Sequence, residues 1–437
     1  MASGALIYDR REKRRAVAKW SRLVAPLAKE PIASPSQMPR RLTVVVGSPP
    51  GDGGFRPAME MWTEYVRPIL AASGLDWEFV QGRREGDVRA AVAERVRRLR
   101  KTQGEKPVGS DEKQEAEQDT AQTEDEIILA VRQRNKIAPF AGLAGDIVIG
   151  RHTWKEYMRG LHEGWLGPLS APAHAILPPE PEPSTADGES APPPKKKPRQ
   201  IPPYNTPEEY ESSPLPPTLP DELAPNAPIP LPHILGFLNT PTRLRRYFNQ
   251  RALADRVGRE VAAVCLAHYR EYGRDENTAA VADEGGGGSG GDGAVRELET
   301  TLAVEERDWP KRVWKAADED EKAAVVAAAE AEQNTDAKTS PADDEPKLDG
   351  VATAGPSTAA ALRPKEHVWT RPLIVDARLA ARMRHFELTR EDEARAAAIV
   401  VPETEVEGWI KGSLRAAWRW AAAKANPPPP KVWAEDE

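Results

Sequence analysis

Proline sets the first limit on what this chain folds into: residues 171–232 hold 20 of its 43 prolines. Each proline removes a backbone donor and fixes φ, so this stretch reads as an extended linker rather than a core element. Three further segments read as disordered. Residues 101–125 are almost wholly polar, 273–297 contain "GGGGSGGDG", and 317–365 are rich in Ala, Asp and Glu. None of the twelve tryptophans falls in any of these four segments. Most cluster instead at 62–77, 154–165, 309–314, 369 and 409–420, which marks the parts that bury aromatic mass.

The first folded part, 40–170, has a strand–helix rhythm interrupted by the 101–125 insertion. Leu42–Gly47 reads as a buried strand, and 56–72 as a helix with Met59, Trp62, Val66 and Ile69 on one face. Leu75–Val80 is a second strand, and 86–100 a helix with Val88, Val92, Val96 and Leu99 inward. A helix at 124–136, a strand at 145–150 and a helix at 152–165 follow. Alternation of this kind requires crossovers and a parallel sheet.

Beyond the proline-rich stretch, "HILGFLN" (233–239) reads as a strand. Thr240 and Pro241 then open one long helix to Tyr272, with Leu244, Phe248, Val257, Val261 and Cys265 inward. A short structured segment is expected at 298–316 and strands at 367–376 and 382–388. An amphipathic helix at 404–424 carries Val406, Trp409, Ile410 and Trp418, with a tail from 425. The fold class is therefore α/β, a small parallel-sheet N-terminal domain plus a mixed α+β C-terminal part, with long disordered insertions.

Residues 1–39 read as a basic leader, with an apolar tail at Gly4–Tyr8 meeting Arg10, Arg11, Lys13, Arg14 and Arg15. That is the pattern at the end of a membrane helix whose remainder would precede this chain. With 61 basic against 68 acidic residues, a net charge of −7 excludes a globally basic nucleic-acid binder. The single cysteine, Cys265, excludes an internal disulfide framework and a Cys-based zinc site. The seven histidines are scattered and give no nucleophile a partner. His152, His162 and Glu163 lack zinc-ligand spacing and read as part of a surface helix, while Trp154, Tyr157 and Trp165 read as core. Neither a cofactor nor a metal is expected.

"VVVGSPPGDGG" (44–54) runs a strand into a glycine-rich turn ahead of a helix, the place of a phosphate loop in nucleotide-binding α/β proteins. "SGGDGA" (289–294) also contains Gly-Gly-Asp-Gly, but no strand pattern precedes it. Lys195–Lys197 and Arg199 have the look of a nuclear-localisation run, the mark of a nuclear or cytosolic adaptor, but better suit anionic lipid headgroups or an acidic partner. Glu85 and Asp87 suit a helix N-terminus, beside Arg83 and Arg84 as candidate partner-binding residues; Trp409 and Trp418 are further candidates.

Five stretches together carry a family resemblance: "GALIYDRREKRR", "RRLTVVVGSPPGDG", "VQGRREGDVRAAVAERVRRLRK", "DIVIGRHTWKEYMRGLHEGWLGPL" and "GFLNTPTRLRRYFNQR". The chain resembles the fungal fifty-four-kilodalton subunits of the mitochondrial inner-membrane carrier translocase. The resemblance implies a non-catalytic scaffold anchored in the inner membrane by one N-terminal helix, with its bulk in the intermembrane space. It also implies partners: the translocase channel subunit, small chaperones that deliver polytopic carrier proteins, and inner-membrane lipids through the anchor. No nucleic acid is among them. The positive-inside rule, by contrast, favours the matrix side for the basic cluster.

A weaker resemblance is to lipid kinases of the diacylglycerol-kinase type, in the order of three loops. Val44–Gly54 stands at the first place, "IVIGRHTWKEYMRGL" at the second and "ILGFLNTPTRL" at the third. Gly47, Gly51, Gly53, Gly150, Arg151, His152 and Thr153 are then degenerate nucleotide-loop positions. Gly150 survives at the second place, but bulky Arg151 and His152 follow it and the acidic residue is gone. Phosphoryl transfer needs positioned phosphates and carboxylate-held magnesium, so the resemblance implies a kinase-like scaffold without activity. A divergent Mg-ATP-dependent lipid kinase is the alternative.

Overall fold

The computed structural model describes residues 2–31, 36–51, 54–105, 124–138, 142–172, 200–274, 290–315 and 366–406, with a few positions between and beyond these ranges. Its helices are α1 (Ala2–Val24), α2 (Arg56–Met61), α3 (Arg67–Ser73), α4 (Asp87–Thr102), α5 (Glu124–Arg134), α6 (Arg151–Leu166), α7 (Thr240–Tyr247), α8 (Gln250–Leu266), α9 (Gly290–Thr300), α10 (Ala377–Ala380), α11 (Arg390–Ala398) and α12 (Glu403–Val406). A π-helical turn, Trp62–Val66, joins α2 to α3, where Pro68 has no N–H to continue the regular ladder. The strands are β1 (Arg41–Gly47), β2 (Asp76–Gly82), β3 (Asp146–Ile149), β4 (Asn226–Ile229), β5 (Tyr269–Glu271) and β6 (Arg384–Phe386). They form one sheet in the order β2-β1-β3-β4-β6-β5, parallel throughout except for β5 against β6. The α/β class holds, and the two expected parts share this single sheet.

Period-two alternation divides the strand side chains between two layers. Leu42, Val44, Val46, Ile147, Ile149, Ala227 and Ile229 face α1, α2, α3 and α8 in one apolar core. Val45 and Val148 face the other way, into a core made with α4, α6 and α9 and with Tyr210, Leu219 and Leu223. Helices α4 and α6 approach closely because α6 carries Gly160 and Gly164. A Cβ on Gly160 would lie 2.6 Å from the Arg89 carbonyl, and one on Gly164 2.5 Å from Val96.

Several expectations need correction. The proline-rich stretch is not all linker, because residues 200–232 pack on the body and contain β4. Here β3 takes its partners from Pro225 and Ile229, since Asp146 N–H donates to the Pro225 carbonyl and Gly150 N–H to that of Ile229. By alternation Pro228 turns its missing donor towards β6, which pairs with β4 only at Asn226–His385. "HILGFLN" is not a strand: Gly236 has φ +103° and Phe237–Asn239 form a 3-10 turn. The long helix after it breaks between α7 and α8, leaving Leu244 exposed and Phe248 half-buried, while Val257, Val261 and Cys265 are buried as expected. Residues 367–376 form turns and coil, not a strand.

The basic leader is a helix along most of its length. Trp20, Leu23 and Val24 of α1 are buried against α8, and Asp9 accepts from the Gln250 and Arg251 N–H groups that open α8. Among the described residues no helix is long and apolar enough to cross a membrane.

Candidate functional site at the carboxyl edge of the sheet

In a parallel sheet the ligand crevice opens beyond the carboxyl ends of the strands, where neighbouring connections diverge. Here that place lies between β1 and β3, since β2 flanks β1 on the other side. Gly47 ends β1 and Gly150, at φ +89°, turns β3 into α6. The fold brings Gly47, Gly150, His152 and Thr153 close together, with Arg151 between Gly150 and His152 in the chain.

Side chains fill the space a phosphate would take. His152 Nε2 lies 3.0 Å from the Gly47 carbonyl, and a Cβ on Gly47 would come within 2.8 Å of Thr153 Oγ1. Burial lowers the His152 pKa to about 4, so the imidazole is neutral and donates to that carbonyl. Gly51, at φ +85°, lies under Pro310, while Gly53 falls outside the described residues.

The free donors at the α6 N-terminus have a partner from within the chain. Glu305 takes the Arg151 N–H on one carboxylate oxygen at 2.8 Å and the Leu231 N–H on the other at 2.7 Å. A carboxylate at a helix N-terminus meets the same amides and dipole that hold a phosphate in nucleotide sites. Burial pushes Glu305 up to about 7, against those two donors. Arg151 is turned away from the crevice to Glu306 (2.8 Å) and the Thr301 carbonyl (2.7 Å). The cavity left between Pro49, Pro50, His152, Leu231, His233, Glu305, Asp308 and Trp309 measures about 10 Å³. A nucleotide needs a cleft of roughly 300 Å³ or more.

Helix α6 is not a surface helix; apart from Leu161 it is buried along its whole length, charges included. Glu163 accepts from Arg89 Nη1, from Arg97 Nη2 at 2.5 Å and from the Tyr204 N–H at 3.2 Å. Arg159 binds Glu366 at 2.8 Å and Asn205 Oδ1 at 2.8 Å. Glu156 caps α4 through the Val88 N–H (3.0 Å) and Arg89 N–H (3.3 Å), and takes the Trp369 indole N–H at 2.6 Å. Burial raises Glu156 to about 7. His162 donates from Nδ1 to the Met158 carbonyl and accepts the Asp376 N–H on Nε2, with its pKa lowered by burial to about 4. Both ring nitrogens are therefore used within the fold. Among the described residues no group of three or more His, Cys, Asp or Glu is placed to hold a metal ion.

The sequence that builds this packing is similar to those of known proteins. The family model for the inner membrane protein import complex subunit Tim54 matches residues 1–196 and 180–386. The chain is 48% identical to the mitochondrial import inner membrane translocase subunit tim54 of Neurospora crassa, over 97% of this chain and 82% of the relative. It is 38% identical to the tim54 of Aspergillus fumigatus, over 95% and 90% of the two chains. A more distant relative, TIM54 of Saccharomyces cerevisiae, is 31% identical over 38% of this chain and 45% of its own. The chain belongs to the Tim54 family.

The other candidate residues lie apart from the crevice. Arg83 and Arg84 are exposed on the β2–α4 turn, with their backbone N–H groups held by Asp87 at 3.0 and 2.9 Å. Trp418 is helical and 72% exposed, whereas Trp409 and the 195–199 basic run lie outside the described residues. Sequence reading missed Glu305, Glu306 and Glu156. The pairing of Glu305 with Arg151 spans 154 positions, and only Trp309 and Trp314 signalled that its segment folds.

Proposed function

We propose that this chain is a non-catalytic scaffold subunit of the mitochondrial inner-membrane translocase that inserts polytopic carrier proteins. Its bulk stands in the intermembrane space, held to inner-membrane lipids by an N-terminal anchor. Its partners are the channel subunit and the small chaperones that deliver carriers, met through surfaces that include the Arg83–Arg84 turn and the Trp418 helix. The names of its relatives support the translocase assignment. The non-catalytic reading rests on one observation, the Glu305 carboxylate at the α6 N-terminus where a kinase-like scaffold would hold phosphate.

Affinity isolation of the tagged protein from mitochondria in mild detergent, followed by mass spectrometry, tests the assignment. The channel subunit and small chaperones should be recovered in stoichiometric amounts; recovery of the protein alone overturns it. Titration calorimetry with Mg-ATP tests the catalytic alternative separately, and the expected result is no binding heat.

A further inference from the structure

Among the described residues the two most exposed large apolar side chains sit side by side. Phe237 and Leu238 are 90% and 91% exposed, and Leu244 and Tyr247 of the adjoining α7 are 55% and 45% exposed. Helix α7 buries none of its residues. It stands over an open groove of about 520 Å³ that separates it from Leu302, Val304 and Asp308. The polar complement is one-sided. From Gly236 to Arg251 there are four arginines (243, 245, 246 and 251) and no acidic residue, in a protein whose net charge is −7. Arg246 reaches Asp308 at 2.9 Å, while Arg243 and Arg245 have no ion pair among the described residues.

The exposed beginning of α1 extends the same surface. Arg10 contacts the Tyr247 hydroxyl at 3.4 Å, and Arg251 lies 5.3 Å from the Tyr8 ring centre. Ile7 and Tyr8, 68% and 55% exposed, are thereby set beside the α7–α8 corner.

An apolar tip with a collar of arginines is the composition of an interfacial membrane element: the apolar groups enter the headgroup boundary and the cations meet anionic lipid. We infer that the Gly236–Arg251 corner is a peripheral membrane contact, with Phe237 and Leu238 entering a bilayer whose anionic headgroups meet Arg243 and Arg245. Charge complementarity selects an anionic bilayer as the occupant. The contact is separate from any spanning anchor and does not rest on the scaffold reading.

Flotation of the full chain with phosphatidylcholine vesicles, with and without phosphatidylglycerol, tests it. Binding should require the anionic lipid and weaken with salt. Arg243→Glu with Arg245→Glu should lower the partition at least about tenfold, because each basic residue near such a surface contributes roughly fivefold. Phe237→Ser with Leu238→Ser should lower it comparably. Because Cys265 is buried, Leu238→Cys supplies a single accessible thiol for a polarity-sensitive dye. Its emission should shift to the blue on anionic vesicles and be quenched by lipid-borne quenchers. A dye that stays in water, or binding unchanged by both double variants, overturns the inference, since other basic segments then carry the binding. Loss of a partner protein from the Phe237→Ser/Leu238→Ser variant, with vesicle binding intact, overturns it in favour of a protein contact.

Discussion

The two faces of the sheet solve the same packing problem with different chemistry. On one face, α2, α3 and α8 cover the strands with Leu, Ile, Val and Ala. On the other, α6 lies between α4 and the 200–223 segment with Arg159, Glu156, His162 and Glu163 all buried. The apolar face is held by area removed from water, which tolerates conservative replacement. The charged face is held by mutual satisfaction: each group is affordable only while its partners remain. The lesson is that loss of one atom group should be graded on the first face and abrupt on the second.

The largest effect should come from Glu163→Ala, which removes the buried carboxylate that Arg89 and Arg97 share. Urea unfolding should show a loss of about 3–5 kcal/mol. Replacing Arg89, Glu163 and Arg97 together by Met, Leu and Met should recover most of it, and a triple variant as unstable as Glu163→Ala would erase the contrast between the faces. Leu70→Ala on the apolar face comes next, at about 2–5 kcal/mol for a fully buried leucine. That loss should be the same at pH 5 and pH 8, because Leu70 itself does not titrate.

A smaller, signed effect is expected at Glu156. Its folded pKa of about 7 lies above the ordinary carboxylate value of 4.5, so its contribution is fully present below about 4.5 and is lost as pH rises through about 7. The cost of Glu156→Gln should therefore shrink by about 1–3 kcal/mol between pH 4.5 and pH 8. His152 and His162 work the other way, being lowered from 6.5 to about 4. Their contribution is present above about 6.5 and lost as pH falls towards 4, so Glu156→Gln should also steepen the acid limb. The smallest effect belongs to Phe237→Ser, where the side chain touches little: the unfolding free energy should change by less than about 0.5 kcal/mol.

Apolar periodicity was legible on both faces. Alternation in β1 and the helical spacing of Val88, Val92 and Val96 located β1, α4 and α6 within a residue or two, because burial and periodicity are local signals. The buried charges of the second face were not legible. Nothing in "HTWKEYMRGLHEGW" distinguishes a solvated helix from one whose charges are answered by Arg89, Asn205 and Glu366, up to 207 positions away. Likewise β4 hid behind Pro225, Pro228 and Pro230; proline argues against a central strand unless its donorless side faces a gap in the ladder. For the site, the two glycines at the strand ends were readable and the carboxylate between them was not.

Glu305 makes the crevice a competition rather than a vacancy. A carboxylate carried on the same chain is present at an effective concentration in the millimolar range or above. A phosphate-bearing ligand would first have to dislodge it, and its apparent affinity would fall by the factor with which the closed arrangement outweighs the open one. The amides at the start of α6 thus serve as a clasp that ties the 303–309 segment to the sheet. Helix-terminal donors, the kind that hold phosphate in nucleotide enzymes, here fasten distant parts of one chain.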